Sequence, residues 1–175
     1  LAQIGQYAEN VYFGKPCGLM DQTASAVGGI IAIDFADPSR PIVTPVPFDF
    51  AACGHALCII DSGADHADLT GEYAAITEEL KAVCRHFGEE YLRGVPEERF
   101  YADLPGVREA AGDRAVLRAM HVYDDNRRVR LQIAALQENR FDDFLHEVRA
   151  SGISSWLYLQ NVTPTGATRH QALAF

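Results

Sequence analysis

Apolar and polar positions along the chain fall into two regimes, an early mixed part and a late helical part. Leu1 to about Asn10 reads as a helix, followed by the loop Phe13-Gly14-Lys15-Pro16-Cys17-Gly18. A second short helix is predicted over Met20–Val27, stopped by Gly28-Gly29. The run Ile30-Ile31-Ala32-Ile33 is too continuous for an exposed strand, so Gly29–Phe35 reads as a buried one. Asp37-Pro38-Ser39-Arg40-Pro41 is a turn. Ile42–Phe48 is extended but carries Pro45 and Pro47, which limits it to a sheet edge. Ala56–Asp61, Ala-Leu-Cys-Ile-Ile-Asp, is expected to be a second buried strand. From Asp68 the period turns helical: a helix opens near Thr70 and ends at about Phe87, before Gly88. Residues 89–112 are turn-rich with short helical pieces. A long helix then spans Asp113–Gln137, with the stripe Ala115, Ala119, Val122, Asn126, Val129, Ile133, Leu136 at the spacing of a buried face. Asn126 interrupts that stripe, either as a polar contact in a site or as a buried amide satisfied by backbone. A last helix covers Phe141–Ala150, with Phe141, Phe144, Leu145 and Val148 inward. Strands early and helices late make the fold class α+β.

Composition narrows the function classes. Fifteen Lys and Arg stand against 24 Asp and Glu, a formal net charge of −9. A nucleic-acid binder or a protein of anionic membranes shows the opposite balance, so neither partner is expected. No apolar run approaches the roughly 18 residues of a membrane span, and no signal peptide is evident. The four cysteines, at 17, 53, 58 and 84, form no CxxC pair and read as small buried hydrophobes of a reduced, cytoplasmic protein. The first residue is not Met, and both ends read as uncapped helix, Leu1–Ala8 and Ala172–Phe175. The chain is therefore expected to be a piece of a larger protein, with apolar surface left open to self-association.

Chemistry concentrates in the first thirty residues. No G-x-x-x-x-G-K-[ST] or G-x-G-x-x-G is present, the histidines lack metal spacing, and Ser62-Gly63 and Ser151-Gly152 lack a nucleophile-elbow context. The segment Ala8-Glu9-Asn10-Val11-Tyr12-Phe13-Gly14-Lys15-Pro16-Cys17-Gly18-Leu19-Met20-Asp21-Gln22 stands out. Gly18 lets a backbone come close to a ligand. Asp21 falls in the first turn of a helix, where free N–H groups favour a carboxylate or an anion. Glu9 ends the preceding helix and can face the same cleft. Two carboxylates, a glycine turn and a helix N-terminus suit proton abstraction beside a metal-bound phosphate. The plainer alternative makes Asp21 a helix cap and Glu9 a surface charge.

This segment resembles the galactokinase branch of the GHMP small-molecule kinases, whose members carry a block like A-E-N-x-F-x-G-x-x-C-G-[IL]-M-D-Q. Ala8, Glu9, Asn10, Phe13, Gly14, Cys17, Gly18, Met20, Asp21 and Gln22 match it. Two later stretches continue the resemblance: Asp61-Ser62 with Gly71-Glu72-Tyr73, and Arg118-Ala119-Met120-His121-Val122. The resemblance implies a GHMP-kinase-like fold, the end of an S5-like first domain (residues 1–52) plus a ferredoxin-like second domain (residues 53–175). It implies transfer of the γ-phosphoryl group of ATP to O1 of galactose, with Mg2+ as cofactor. It also implies the roles: Asp21 catalytic and beside the sugar, Gly18 touching the sugar through its backbone, Tyr73 lining the sugar site, and Glu9 holding magnesium.

Parts of the family pattern are not in the sequence. These are an arginine-bearing sugar motif, the phosphate loop P-x-G-x-G-L-S-S-S, and a late G-G-G-F-G-G. Where relatives carry Lys or Arg after the central strand, Asp65 and His66 stand here. An acidic residue beside a transferring phosphate is unfavourable by Coulomb's law. That pattern resembles a divergent bacterial branch and leaves two alternatives, a kinase for another sugar such as N-acetylgalactosamine, or a non-catalytic sugar- and ATP-sensing relative.

Overall fold

In the computed structural model the described residues are 1–14, 17–61 and 70–166. They form a helix-rich α+β chain with one two-stranded sheet. Helix α1 (Ala2–Tyr7) runs on through a wide π-helical turn, Ala8–Tyr12, so the first helical stretch ends later than the sequence suggests. Helix α2 spans Met20–Val27, as expected. It closes at Gly28, whose φ of 75° favours a residue without a Cβ. Strands β1 (Ile31–Asp34) and β2 (Ile42–Pro45) pair antiparallel, with Ile31 opposite Pro45 and Asp34 opposite Ile42. Asp37 shapes the connecting turn by accepting from the Ser39 N–H at 2.9 Å and the Ser39 hydroxyl at 2.6 Å.

After a 3₁₀ turn (Ala51–Cys53) come α3 (Thr70–Phe87), a 3₁₀ turn (Leu92–Gly94), α4 (Glu97–Ala102) and α5 (Leu104–Ala111). The long α6 (Asp113–Gln137) and α7 (Phe141–Ser154) follow, and α7 runs into a π-helical turn, Ser155–Leu159. None of the described helices is long and apolar enough to cross a membrane.

Several expectations need correction. Ala56–Asp61 is not a buried strand: Ile59 is 96% exposed, and the run carries no strand pairing. Its composition suits a strand, but the sheet formed by the described residues has two strands, β1 and β2, and this run is neither. Asn126 is exposed, so the buried-amide reading fails. Val129 is also exposed, because the buried face of α6 carries Arg118 and His121 beside Ala115, Val116 and Ala119, and on α7 Val148 is exposed rather than inward. Of the four cysteines only Cys84 is buried, and Cys58 is exposed. Asp65, His66, Ser62-Gly63 and the helical pattern at Ala172–Phe175 lie outside the described residues.

The chain divides into two compact units, Leu1–Ala56 with Ile133–Phe141, and Leu57–Gln132 with Asp142–Phe175. In the first, Phe48 stacks on Phe141 at 5.5 Å, while Phe50 meets the same ring edge-on at 5.7 Å. The second contains the main core, Val83, Cys84, Phe87, Leu92, Val95, Phe100, Val107, Ala115, Val116 and Ala119. Among the described residues, no buried side-chain nitrogen or oxygen is without a hydrogen-bond partner. The buried Arg118 pairs with Glu79 at 2.9 Å and donates from Nε to the Leu159 carbonyl at 3.0 Å. Burial pulls its guanidinium down from the usual arginine range.

Candidate functional site

The resembling block folds back on itself in the first unit. α1 and its π-helical continuation present Gln6, Glu9 and Asn10 to the Cys17 loop and to α2. Asn10 grips the Cys17 backbone: its Oδ1 accepts from the Cys17 N–H at 2.8 Å, and its Nδ2 donates to the Cys17 carbonyl at 3.5 Å. Gln6 Nε2 donates to the same carbonyl at 3.3 Å. Gln22, on α2, donates from Nε2 to Glu9 Oε1 at 3.2 Å and to Cys17 Sγ at 3.4 Å. Three side-chain amides thus hold the loop against the helix. Sequence reasoning matched Asn10 and Gln22 to the block but gave them no task, because their contacts exist only once the turn closes.

The clamp sets the direction of a backbone donor. The Cys17 carbonyl and the Gly18 N–H are opposite ends of one planar peptide unit, and no described peptide is cis. With the carbonyl turned toward Gln6 and Asn10, the Gly18 N–H faces away from α1. Gly18 is exposed, and a Cβ built there would meet nothing within 4 Å. Neither φ nor packing therefore demands a glycine at this position.

Asp21 is the second residue of α2. The cap position of that helix is Leu19, and no side chain caps it, so the alternative of Asp21 as the cap does not hold. The Leu19 carbonyl instead receives the buried Thr23 hydroxyl at 2.6 Å. The N-terminal end of the helix dipole favours the Asp21 carboxylate where it stands. Asp21, Gln22 and Glu9 line one open cleft of about 380 Å³, together with Leu1, Ala2, Gly5, Ser25 and Ala26. The structure thus brings Asp21 and Glu9 to one cleft, with Gly18 three residues before Asp21. Tyr73 belongs to the other unit, 58% exposed in the first turn of α3.

No group of three or more His, Cys, Asp or Glu among the described residues could hold a metal ion. Magnesium needs no such cage, since one or two carboxylates with substrate phosphates and water complete its shell. The hard oxygen donors of Glu9 and Asp21 in one cleft fit that mode.

The second unit has a polar cluster that the sequence reading gave no chemistry. His121 Nδ1 lies 2.9 Å from Ser154 Oγ, and Nε2 lies 3.3 Å from Asp125 Oδ2. Asp125 also accepts from Ser151 Oγ at 2.9 Å and pairs with Arg128 at 2.7 Å. Burial pushes the His121 imidazole below its ordinary value. The cluster joins α6 to α7.

No family model matches the chain. Curated proteins do. A galactokinase of Actinobacillus pleuropneumoniae is 36% identical over 139 residues, covering 79% of this chain and 35% of that protein. A galactokinase of Streptomyces coelicolor is 37% identical over 142 residues, 78% of this chain and 35% of that protein. One of Mycobacterium tuberculosis is 36% identical over 143 residues, 80% of this chain and 38% of that protein. The chain thus spans little more than a third of the length of these relatives. With Glu9, Asp21 and Gln22 lining one cleft, the chain is similar to these galactokinases over about four-fifths of its residues.

Proposed function

We propose that the protein carrying this chain is a galactokinase, converting ATP and galactose to ADP and galactose 1-phosphate. One observation carries the reading: in a chain 36% identical to proteins named galactokinase, Asp21 lines an open cleft with a second carboxylate, Glu9. Phosphoryl transfer asks little covalent chemistry of a protein and rests on positioning and charge stabilisation. Asp21 accepts or orients the proton of the sugar O1 as O1 bonds to the γ-phosphorus and the bond to the leaving ADP oxygen breaks. The outward Gly18 N–H donates to a sugar hydroxyl, and the space where a Cβ would stand admits the sugar. Tyr73 enters this reading through the family resemblance alone, with its ring and hydroxyl toward the sugar. Glu9 would hold magnesium, which when bound neutralises phosphate charge. The same reading assigns the GHMP-kinase architecture, with residues 1–52 in an S5-like first domain and 53–175 in a ferredoxin-like second. It also takes the protein to act in the cytoplasm.

The test is Asp21→Asn in the protein as encoded by its full gene. The amide keeps the shape but takes no proton, so kcat should fall about 10²–10⁴-fold. The melting temperature should hold, because Leu19 rather than Asp21 occupies the cap position. Near-unchanged kcat in Asp21→Asn would overturn the assignment.

A further inference from the structure

Gln22 lines the same cleft as Asp21 and Glu9, and the mechanism above gives it nothing to do. Its amide nitrogen has two protons. The structure offers two acceptors, Glu9 Oε1 at 3.2 Å and Cys17 Sγ at 3.4 Å. The Gln22 stem runs over Gly5 of α1, where a Cβ would meet its Cγ at 3.5 Å. The arm therefore starts from a packed base and ends on a carboxylate.

We propose that Gln22 is a positioning residue for Glu9: its amide engages one carboxylate oxygen and leaves the other to a divalent cation in the cleft. This deepens the proposed function and rests on its assignment of Glu9. The residue type suits the task. Glu9 has three side-chain torsions, and an unheld carboxylate would sample many orientations. A neutral amide fixes it without cancelling its charge, as lysine or arginine would, and without repelling it, as a second carboxylate would. Carboxylates that ligate metals are commonly hydrogen-bonded in turn, and losing such a partner costs about 10–100-fold in metal affinity.

The experiment titrates the protein, as encoded by its full gene, with Mn2+ alone, and reads binding by water proton relaxation. Gln22→Met keeps the length of the side chain and removes both donors. Its Mn2+ dissociation constant should rise about 10–100-fold, and Glu9→Gln should lose at least as much. Cys17→Ala removes only the sulfur contact and should stay within about twofold of the unsubstituted protein, since the loop keeps its backbone grip. In the activity assay, the Mg2+ concentration for half-maximal ADP release should rise with Gln22→Met by a similar factor. Its kcat at saturating Mg2+ should stay within about twofold, a separation that a general loss of folding would not give. Where Gln22→Met lowers the melting temperature, Gln22→Asn, one methylene too short to reach Glu9, should give the same loss of affinity. Unchanged Mn2+ affinity in the Gln22 variants alongside a loss in Glu9→Gln overturns the role of Gln22 alone. Unchanged affinity in Glu9→Gln overturns the metal assignment of Glu9, and the role of Gln22 with it.

Discussion

In the second unit, ten residues from Val83 to Ala119 pack into one core, and the buried polar side chains Arg118 and His121 have partners, Glu79 and Asp125. In the first unit, the buried side chains among the described residues are Leu19, Thr23, Val46, Ala135 and Leu136, while Ile4, Tyr7, Tyr12 and Phe13 stand in solvent. Its order near the cleft comes from Gln6, Asn10 and Gln22 gripping Cys17 and Glu9. A site that must expose carboxylates cannot be fixed by burying them, because a charge taken out of water without a partner is costly. Hydrogen-bond clamps fix such groups and leave them wet. The difference teaches that substitutions should sort by unit, with stability lost in one and ligand binding lost in the other.

The largest effect should come from the core. Phe100 is fully buried, and Phe100→Ala should cost about 3–5 kcal/mol by urea or thermal unfolding. Phe13, 81% exposed, should change stability by no more than about 0.5 kcal/mol when replaced by alanine. Comparable losses from the two would break the comparison.

A smaller effect should separate binding from stability. Asn10→Ala frees the Cys17 peptide and with it the direction of the Gly18 N–H. In steady-state kinetics the KM for galactose should rise about two- to tenfold, the worth of one hydrogen bond, with kcat within about twofold. A fall in kcat at unchanged KM would place Asn10 in the chemistry rather than in the clamp.

The smallest effect concerns pH. Burial depresses the native His121 value below the ordinary 6.5, against the pull of Asp125 and Asp124 and with the push of Arg128, while Ser154 faces the ring from α7. The native state then binds fewer protons than the unfolded chain in acid. The contribution is intact above pH 6.5 and is lost as pH falls from there through the native value. The melting temperature should drop over that window, and His121→Gln should flatten the drop. A His121→Gln protein with the same acid slope would assign the effect elsewhere.

Much of this was legible in the sequence where chain punctuation and period agree. Met20–Val27 and Asp113–Gln137 are read to the residue, because Gly28 and Gly112 bracket helical patterns and both take positive φ. The first helical stretch is not, because a π-helical turn has no strong composition signal. Ala56–Asp61 shows the limit of local pattern: six residues can look like a strand, but pairing is a tertiary property. On α6 a stripe of apolar residues points at Asn126 and Val129, whereas the buried face includes Arg118 and His121. A usable signal was there, since Arg118, His121 and Asp125 recur at three- and four-residue spacing beside Ala115 and Ala119. Within the candidate site, Glu9 and Asp21 are legible as carboxylates flanking a glycine turn. The amides that hold Glu9 and Cys17 become legible only when the loop has closed.

The measurement that bears most directly on the central claim is ADP release by the protein as encoded by its full gene, with ATP, Mg2+ and a panel of galactose, N-acetylgalactosamine, glucose and no sugar. A galactokinase predicts release that depends on galactose, saturates with it, and yields galactose 1-phosphate in equal amount to ADP. Release independent of galactose, or faster with another sugar of the panel, would contradict the account.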